Sequence, residues 1–364
     1  MRAETYSRAF TFAQQQVRAL ASDHPDLLPV YTVSGRWDHE GDAWTNWCEG
    51  FPAGMMWIFF ERTGEAEWRE LAERYSTLLK GREFDREVHD QGFLFWPSWK
   101  RWYDLDGVAE RNEVVVQAGR TQAMRFDEKG RYLRSFLAAD STVIDIMMNV
   151  NVIFHAARDS ADEDLARIAH EHCRTTIRCL VRGDGSTNHE GLFDLSSGQY
   201  LRAGTHQGWR PDSAWARGQA WALYGFGEAF ELTGDRRYLD VAHRCADFYV
   251  ASTPGGVPPN DWDEPDPERA YESSAAAAAA GGLWRLAKLT DDSGRRAIYR
   301  GTALKIMDRL VSPEFLANET PEWEGILRHG TYHERNGLGV DESVMFGDYF
   351  FVEALAMMLE DGFE

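Results

Sequence analysis

Apolar residues along the chain recur every three or four positions over most of its length, as in Tyr6, Phe10, Ala13, Val17 and Leu20, and again in Trp68, Leu71, Ala72, Tyr75, Leu78 and Leu79. This is the period of helices with one buried face, and alternating strand patterns are scarce. A break recurs in which an aromatic-rich helix ends in a small polar turn and an amphipathic helix follows at once. It occurs as FFERTGEAEW at Gly64, WYDLDGVAER at Gly107, HAARDSADED at Ser160, FELTGDRRYL at Gly234 and LAKLTDDSGRRA at Asp291. Gly supplies the left-handed conformation that ends one helix, and Asp, Ser or Thr caps the next, so each break predicts a two-helix hairpin. The terminal helices, roughly residues 3 to 22 and 342 to 360, pair to make a sixth hairpin. Twelve helices closed end to end predict an all-α fold, an (α/α)6 barrel, with residues 1–364 as one domain.

In such a ring the inner helices are covered on all sides and the outer ones are amphipathic. IDIMMNVNVIFHAA, RGQAWALYGFGEAF, SSAAAAAAGGLWRLA and MFGDYFFVEALAMML are the inner-helix candidates, and the alanine run Ala275 to Ala280 reads as close helix packing. Long polar loops, about 24–48, 82–92, 182–212, 253–272 and 312–341, are expected to gather at one rim and form a pocket there. The loop holding Leu192, Phe193 and Tyr200 is expected to contain a small hairpin.

With 39 basic and 59 acidic side chains the formal charge is −20, which argues against gripping a nucleic-acid backbone or an anionic membrane. The first twenty residues lack the apolar core of a secretory signal and no stretch has the composition of a membrane span, so a cytoplasmic location is expected. Cys48, Cys173, Cys179 and Cys245 have no paired spacing and read as reduced thiols. The His170-Glu171-His172 run reads as a solvated helix face, so no metal site is expected, and the adhesion-like tripeptide Arg182-Gly183-Asp184 is given no functional reading either.

Asp145 lies amid Val143, Ile144, Ile146, Met147 and Met148, where a carboxylate must be paired, hydrogen-bonded or kept protonated; Asn149 follows one turn on. It reads either as a satisfied structural carboxylate or as a proton-transfer group. Asp90, just before an aromatic helix starting near Gly92, reads either as that helix's N-cap or as a second chemical carboxylate, with His89 beside it. GTHQGWRPDSAWARGQAW brings His206 and Gln207 together with Trp215, Arg217 and Trp221, and Arg217 and Trp221 share a helix face suited to a carboxylate contact beside an aromatic platform. The fourteen tryptophans suit sugar recognition as well as a large core.

The ordered motifs NWCEGFPAGMMW, HDQGFLF, STVIDIMMN, GTHQG, SAWARGQAWALYGF, YESSAAA, RHGTYH and GDYFFVEAL run through nearly the whole chain. In them the chain resembles the unsaturated glucuronyl hydrolases of glycoside hydrolase family 88, which are (α/α)6 barrels. The resemblance implies a glycosidase of polysaccharide degradation. Its substrate is an oligosaccharide with a non-reducing-end 4-deoxy-Δ4,5-uronate, and it acts by hydrating the C4=C5 enol ether without metal or organic cofactor. It further implies Asp145 as general acid/base and Asp90 as the second essential aspartate. Trp47, His89, Phe136, His189, Gln207, Trp215, Arg217 and Trp221 are the residues it implies in substrate binding. The chain departs from the family at Pro52 and Phe136, where relatives usually carry tryptophan. The expected partner is therefore an unsaturated uronate oligosaccharide, with no nucleic acid and no membrane, bound by a monomer or homodimer. The competing readings are an unsaturated rhamnogalacturonyl hydrolase, an inverting glycosidase, an epimerase, and a barrel that only binds sugar or protein.

Overall fold

The computed structural model describes residues 2–37, 43–266 and 268–363; residues 38–42 of the first predicted loop lie outside them. The described residues form twelve helical rods. These are α1 (Arg2–Asp23), α2 (Gly50–Thr63), α3 (Ala66–Leu78), α4, α5 (Ala109–Ala123), α6 (Asn151–Ser160), α7 (Glu163–Cys179), α8 (Ala216–Thr233), α9 (Arg236–Ser252), α10 (Ser273–Leu289), α11 (Ser293–Leu310) and α12 (Met345–Asp361). Rod α4 runs as Gln91–Phe95, a π-helical turn Trp96–Lys100 and Arg101–Asp106. Pro97 explains the π turn: it has no N–H to give to the ladder, and the helix widens around it.

Three hairpins turn at left-handed glycines, Gly64, Gly107 and Gly234, whose N–H groups close on the carbonyls of Phe60, Tyr103 and Phe230. At the break near Ser160 the left-handed residue is Ala161, and the Asp162 carboxylate then caps α7 by accepting from the Asp164 and Leu165 amides. Asp292 caps α11 in the same way. The last rod pairs with the first: the Tyr6 ring meets Phe363 edge-on at 5.4 Å, and the Tyr6 hydroxyl donates to Asp308 on α11.

The inner rods are α2, α4, α6, α8, α10 and α12, as the apolar segments predict, and Ala275 to Ala280 are fully buried. Short strands decorate the rim side. β1 (Phe126–Asp127) pairs with β2 (Tyr132–Leu133), and β6 (Gly330–His333) pairs with β7 (Leu338–Glu342). A three-stranded antiparallel sheet has the order β3 (Ser141–Val143), β4 (Glu190–Phe193), β5 (Tyr200–Gly204). The expected hairpin around Leu192 and Tyr200 is β4–β5. The sheet's third strand corrects the sequence reading, which places no loop between α5 and α6 and sets Asp145 in mid-helix. The apolar run from Val143 to Met148 is in fact a strand end followed by a 3-10 turn, Ile144–Met148, ahead of α6.

The His170–His172 face is also corrected, because it packs inward. His172 is buried and its Nδ1 accepts from the Leu133 amide, while His170 Nδ1 lies 2.6 Å from the Tyr238 hydroxyl. Among the described residues no cluster of three or more His, Cys, Asp or Glu side chains is placed to hold a metal, and no helix is long and apolar enough to cross a membrane. All four cysteines are buried and free.

Candidate active site

The connections that lead into the inner helices converge on a cavity of about 250 Å³. Its floor and walls include Trp47, Phe93, Phe136 and Tyr332, and its polar groups include Asp90, Asp145, His89, His189, His206 and Gln207. Most of the residues implicated by sequence are thus brought together.

Asp145 stands at the end of β3, in the 3-10 turn. The ladder continues one residue past the strand, with the Ile144 amide donating to the His189 carbonyl at 2.9 Å, so register alone sets Asp145 beside His189. The Asp145 side chain keeps 15% exposure; its Oδ2 has no hydrogen-bond partner and lies 3.7 Å from His189 Nε2. Burial pushes its carboxyl up from 3.8 to about 6, opposed by the positive charge of Arg217.

Asp90 occupies the N-cap position of α4 without capping it: its side chain accepts no bond from the helix amides. The task falls to Asn149, reaching over from the entrance of α6, whose Oδ1 accepts from the Phe93 amide at 2.8 Å. The two helices approach so closely that a Cβ on Gly92 would fall 2.5 Å from the Asn149 Cα, which accounts for the glycine in HDQGFLF. Asn149 Nδ2 donates to Asp90 Oδ1 at 3.3 Å and to the Asp145 carbonyl at 3.1 Å, linking the two aspartates. The Asp90 side chain is fully enclosed, with Oδ2 unpartnered, and burial and then the Asp145 charge hold its carboxyl well above the usual range. The N-cap reading of Asp90 therefore fails, and two coupled carboxyls with free oxygens share one pocket.

Each aspartate has a histidine whose tautomer is set by the backbone. His89 Nδ1 accepts from the Phe136 amide at 3.0 Å, which leaves the proton on Nε2, 3.5 Å from Asp90 Oδ1; the Phe136 ring stacks on the imidazole at 4.7 Å. His189 Nδ1 accepts from the His206 amide at 3.2 Å, so its Nε2–H faces Asp145. Burial holds both rings well below the usual histidine range, hence neutral.

Arg217 and Trp221 lie behind the wall of the cavity, which corrects their placement. Arg217 is 1% exposed; its guanidinium donates to Glu272 Oε2 at 2.5 Å, to the Thr331 and Tyr332 carbonyls and to Gln207 Oε1, and it stacks over Trp215 at 4.5 Å. Trp221 is wholly buried between Phe93 and Phe350, at 5.2 Å from each. Their spacing shows that they share a face without showing which way it points. Trp215 backs the His189 ring at 4.6 Å, and Trp47 donates from Nε1 to the Tyr332 hydroxyl. Pro52 is buried in the first turn of α2, away from the cavity, whereas Phe136 lines it. Tyr332, His333 and Asn336, around the β6–β7 turn, also line the cavity, beyond the residues the sequence implies. Tyr332 and His333 belong to the RHGTYH motif, whereas Asn336 lies outside every motif.

No family model matches the chain. It is 31% identical over 330 residues to the unsaturated glucuronyl hydrolase of Bacillus sp. (strain GL1), covering 87% of each chain. It is 28% identical over 331 residues to the unsaturated chondroitin disaccharide hydrolase of Streptococcus pneumoniae, covering 87% of this chain and 83% of the relative. The fold superposes on the crystal structure of the Bacillus sp. GL1 enzyme with a TM-score of 0.91 at 29% identity, covering 98% of this chain and 97% of that one. A likeness of that extent, on an (α/α)6 barrel whose aspartates meet in one aromatic cavity, makes the chain a glycoside hydrolase that belongs to family 88, the unsaturated glucuronyl hydrolases.

Proposed function

We propose that Asp145 performs both proton transfers of enol-ether hydration on the non-reducing-end uronate of lyase-generated glycosaminoglycan fragments. The observation that carries this is the Asp145 carboxyl itself: it lines the cavity, has an unpartnered oxygen, and is pushed up to about 6 by burial. A uronate entering beside it adds a negative charge and removes water, and both raise its proton affinity further. The bound complex therefore presents an acid to C4. Proton delivery to C4 leaves positive charge at C5, stabilised by the ring oxygen. The resulting carboxylate then takes a proton from the water that attacks C5. The hemiketal so formed opens, and the aglycone leaves as its alcohol.

Asp90 stays neutral because of its burial, so it acts as a hydrogen-bond donor that positions the sugar, supported by Asn149. Neutral His89 and His189 present Nε2–H groups to hydroxyl and carboxyl oxygens. Trp47 and Phe136 offer ring faces to the pyranose. A glycosaminoglycan source is supported by the relatives, one described as responsible for glycosaminoglycan degradation and another named for chondroitin disaccharide. Four buried free thiols favour a reducing, cytoplasmic setting.

The experiment offers unsaturated disaccharides from hyaluronan, chondroitin, heparin and pectin. It follows loss of the ultraviolet absorbance of the C4=C5 bond together with release of the second sugar. Loss with release on the glycosaminoglycan disaccharides is expected. Turnover of the pectin fragment alone would transfer the reading to a rhamnogalacturonyl hydrolase.

A further inference from the structure

The turn that carries Asp145 packs against α8, and the approach is close: a Cβ on Gly225 would fall 2.5 Å from the Met147 carbonyl oxygen, which accounts for the glycine. Three residues further along the same face stands Glu228, 4% exposed. Its Oε2 accepts from Asn151 Nδ2 at 2.9 Å, and its Oε1 lies 3.8 Å from the Arg285 guanidinium on α10. Asn151 is the first residue of α6 and is itself buried. Its Oδ1 accepts from the Val152 amide at 2.8 Å, one of the donors that the first turn of a helix leaves unpaired. Two residues before it, Asn149 accepts from the Phe93 amide and donates to Asp90 and to the Asp145 carbonyl. Gly92 packs on both asparagines, since a Cβ there would fall 2.8 Å from Asn149 Oδ1 and 2.7 Å from Asn151 Oδ1. A carboxyl from α8 thus reaches, through two asparagines, the turn that holds the two aspartates.

We propose that Glu228 is a positioning residue for the reaction: by holding Asn151 against α8 it fixes the start of α6, and with it the Asn149 side chain that sets Asp90 and Asp145 relative to each other. The inference rests on the reading of Asp145 as the proton donor. Stability alone does not call for a carboxyl at this place. A methionine of similar size would need no partner, whereas Glu228 has one amide donor and an arginine at 3.8 Å that also serves Glu231 at 3.1 Å and the Tyr224 hydroxyl at 2.7 Å. Burial accordingly pushes the Glu228 carboxyl up to about 7, against the opposing charge of Arg285. Ionised or protonated, the carboxyl still offers Asn151 an acceptor, so the role belongs to the oxygen and not to the charge. Loosening Asn151 releases Asn149 and misplaces two carboxyls at once, and proton delivery to C4 depends on their alignment.

The test compares wild type with Glu228→Met, Glu228→Gln, Asn151→Ala, the double variant Glu228→Met/Asn151→Ala and Glu231→Gln, on one unsaturated disaccharide, with thermal unfolding measured beside kcat and KM. Glu228→Met keeps the volume and removes the acceptor; it is expected to melt close to wild type and to lose roughly 10–100-fold in kcat with KM changed less than about threefold, the size of effect that misplacing a reacting group carries. Glu228→Gln keeps an acceptor for Asn151 and is expected to hold most of the wild-type kcat. Asn151→Ala, which leaves Glu228 beside Arg285, should match the loss of Glu228→Met and gives the same answer should that variant not fold. The two losses should not multiply in the double variant, because both remove one bond. Glu231→Gln disturbs Arg285 alone and should leave kcat as it is. A folded Glu228→Met or Asn151→Ala that turns over like wild type, a Glu228→Gln no better than Glu228→Met, or losses that multiply would overturn the proposal. If wild type consumes no unsaturated disaccharide, the reading of Asp145 itself fails, which the wild-type arm shows separately.

Discussion

Replacing Asp145 by Asn separates the chemistry of this residue from its cost to folding. The rise of its carboxyl from 3.8 to about 6 corresponds to about 3 kcal/mol, at about 1.4 kcal/mol for each tenfold in proton affinity. The folded-state value lies above the unfolded one, so the penalty is absent below about pH 4, grows as pH rises towards 6, and is complete above it. The amide has nearly the same shape, carries no charge and cannot deliver a proton. The variant should therefore be more stable than wild type at pH 7.5, by up to about 3 kcal/mol, with the difference vanishing near pH 4. Its kcat should fall by roughly 10²–10⁴-fold or more, the usual contribution of a general acid. Urea unfolding at the two pH values, beside the ultraviolet assay, measures both. A variant that turns over normally, or one that loses activity because it is less stable at pH 7.5, would refute the reasoning.

Three further outcomes follow from the same geometry. Asn149→Ala strips a buried amide of its acceptor and Asp90 of a donor, so it should cost about 2–4 kcal/mol in urea unfolding and lower kcat as well. Arg217→Met leaves Glu272 buried without its partner and should cost about 3–5 kcal/mol, part of which Glu272→Gln in the same chain should restore. The alkaline limb of kcat/KM reports the free enzyme and should lie near pH 6, while that of kcat should lie higher, because bound uronate raises the proton affinity of Asp145. Coincident limbs in the two profiles would remove the argument for substrate-assisted protonation.

The hairpins were legible because Gly64, Gly107 and Gly234 do what only glycine does easily, and the buried alanine run of α10 marks close helix packing. The 3-10 turn at Asp145 was not legible. A run of Val, Ile and Met looks alike whether it ends a strand or fills a helix, and its ladder partner at Glu190 lies far away in sequence. The π turn in α4 depends on how the chain widens around Pro97, which periodicity does not report. Within the site, motif order brought out both aspartates, their histidines and Gln207. It could not show that Asn149 takes over the cap from Asp90, or that Arg217 turns into the wall. Those outcomes come from side-chain contacts between segments distant in sequence.

The central claim is that the bond attacked is the C4=C5 enol ether and not the glycosidic bond at C1. One turnover experiment in D₂O containing H₂¹⁸O, read by NMR and mass spectrometry, addresses it directly. The account predicts one deuteron at C4 of the released uronate and ¹⁸O on its C5 carbonyl carbon, with no label on the aglycone oxygen. A product that keeps its double bond, with ¹⁸O at C1, would contradict it.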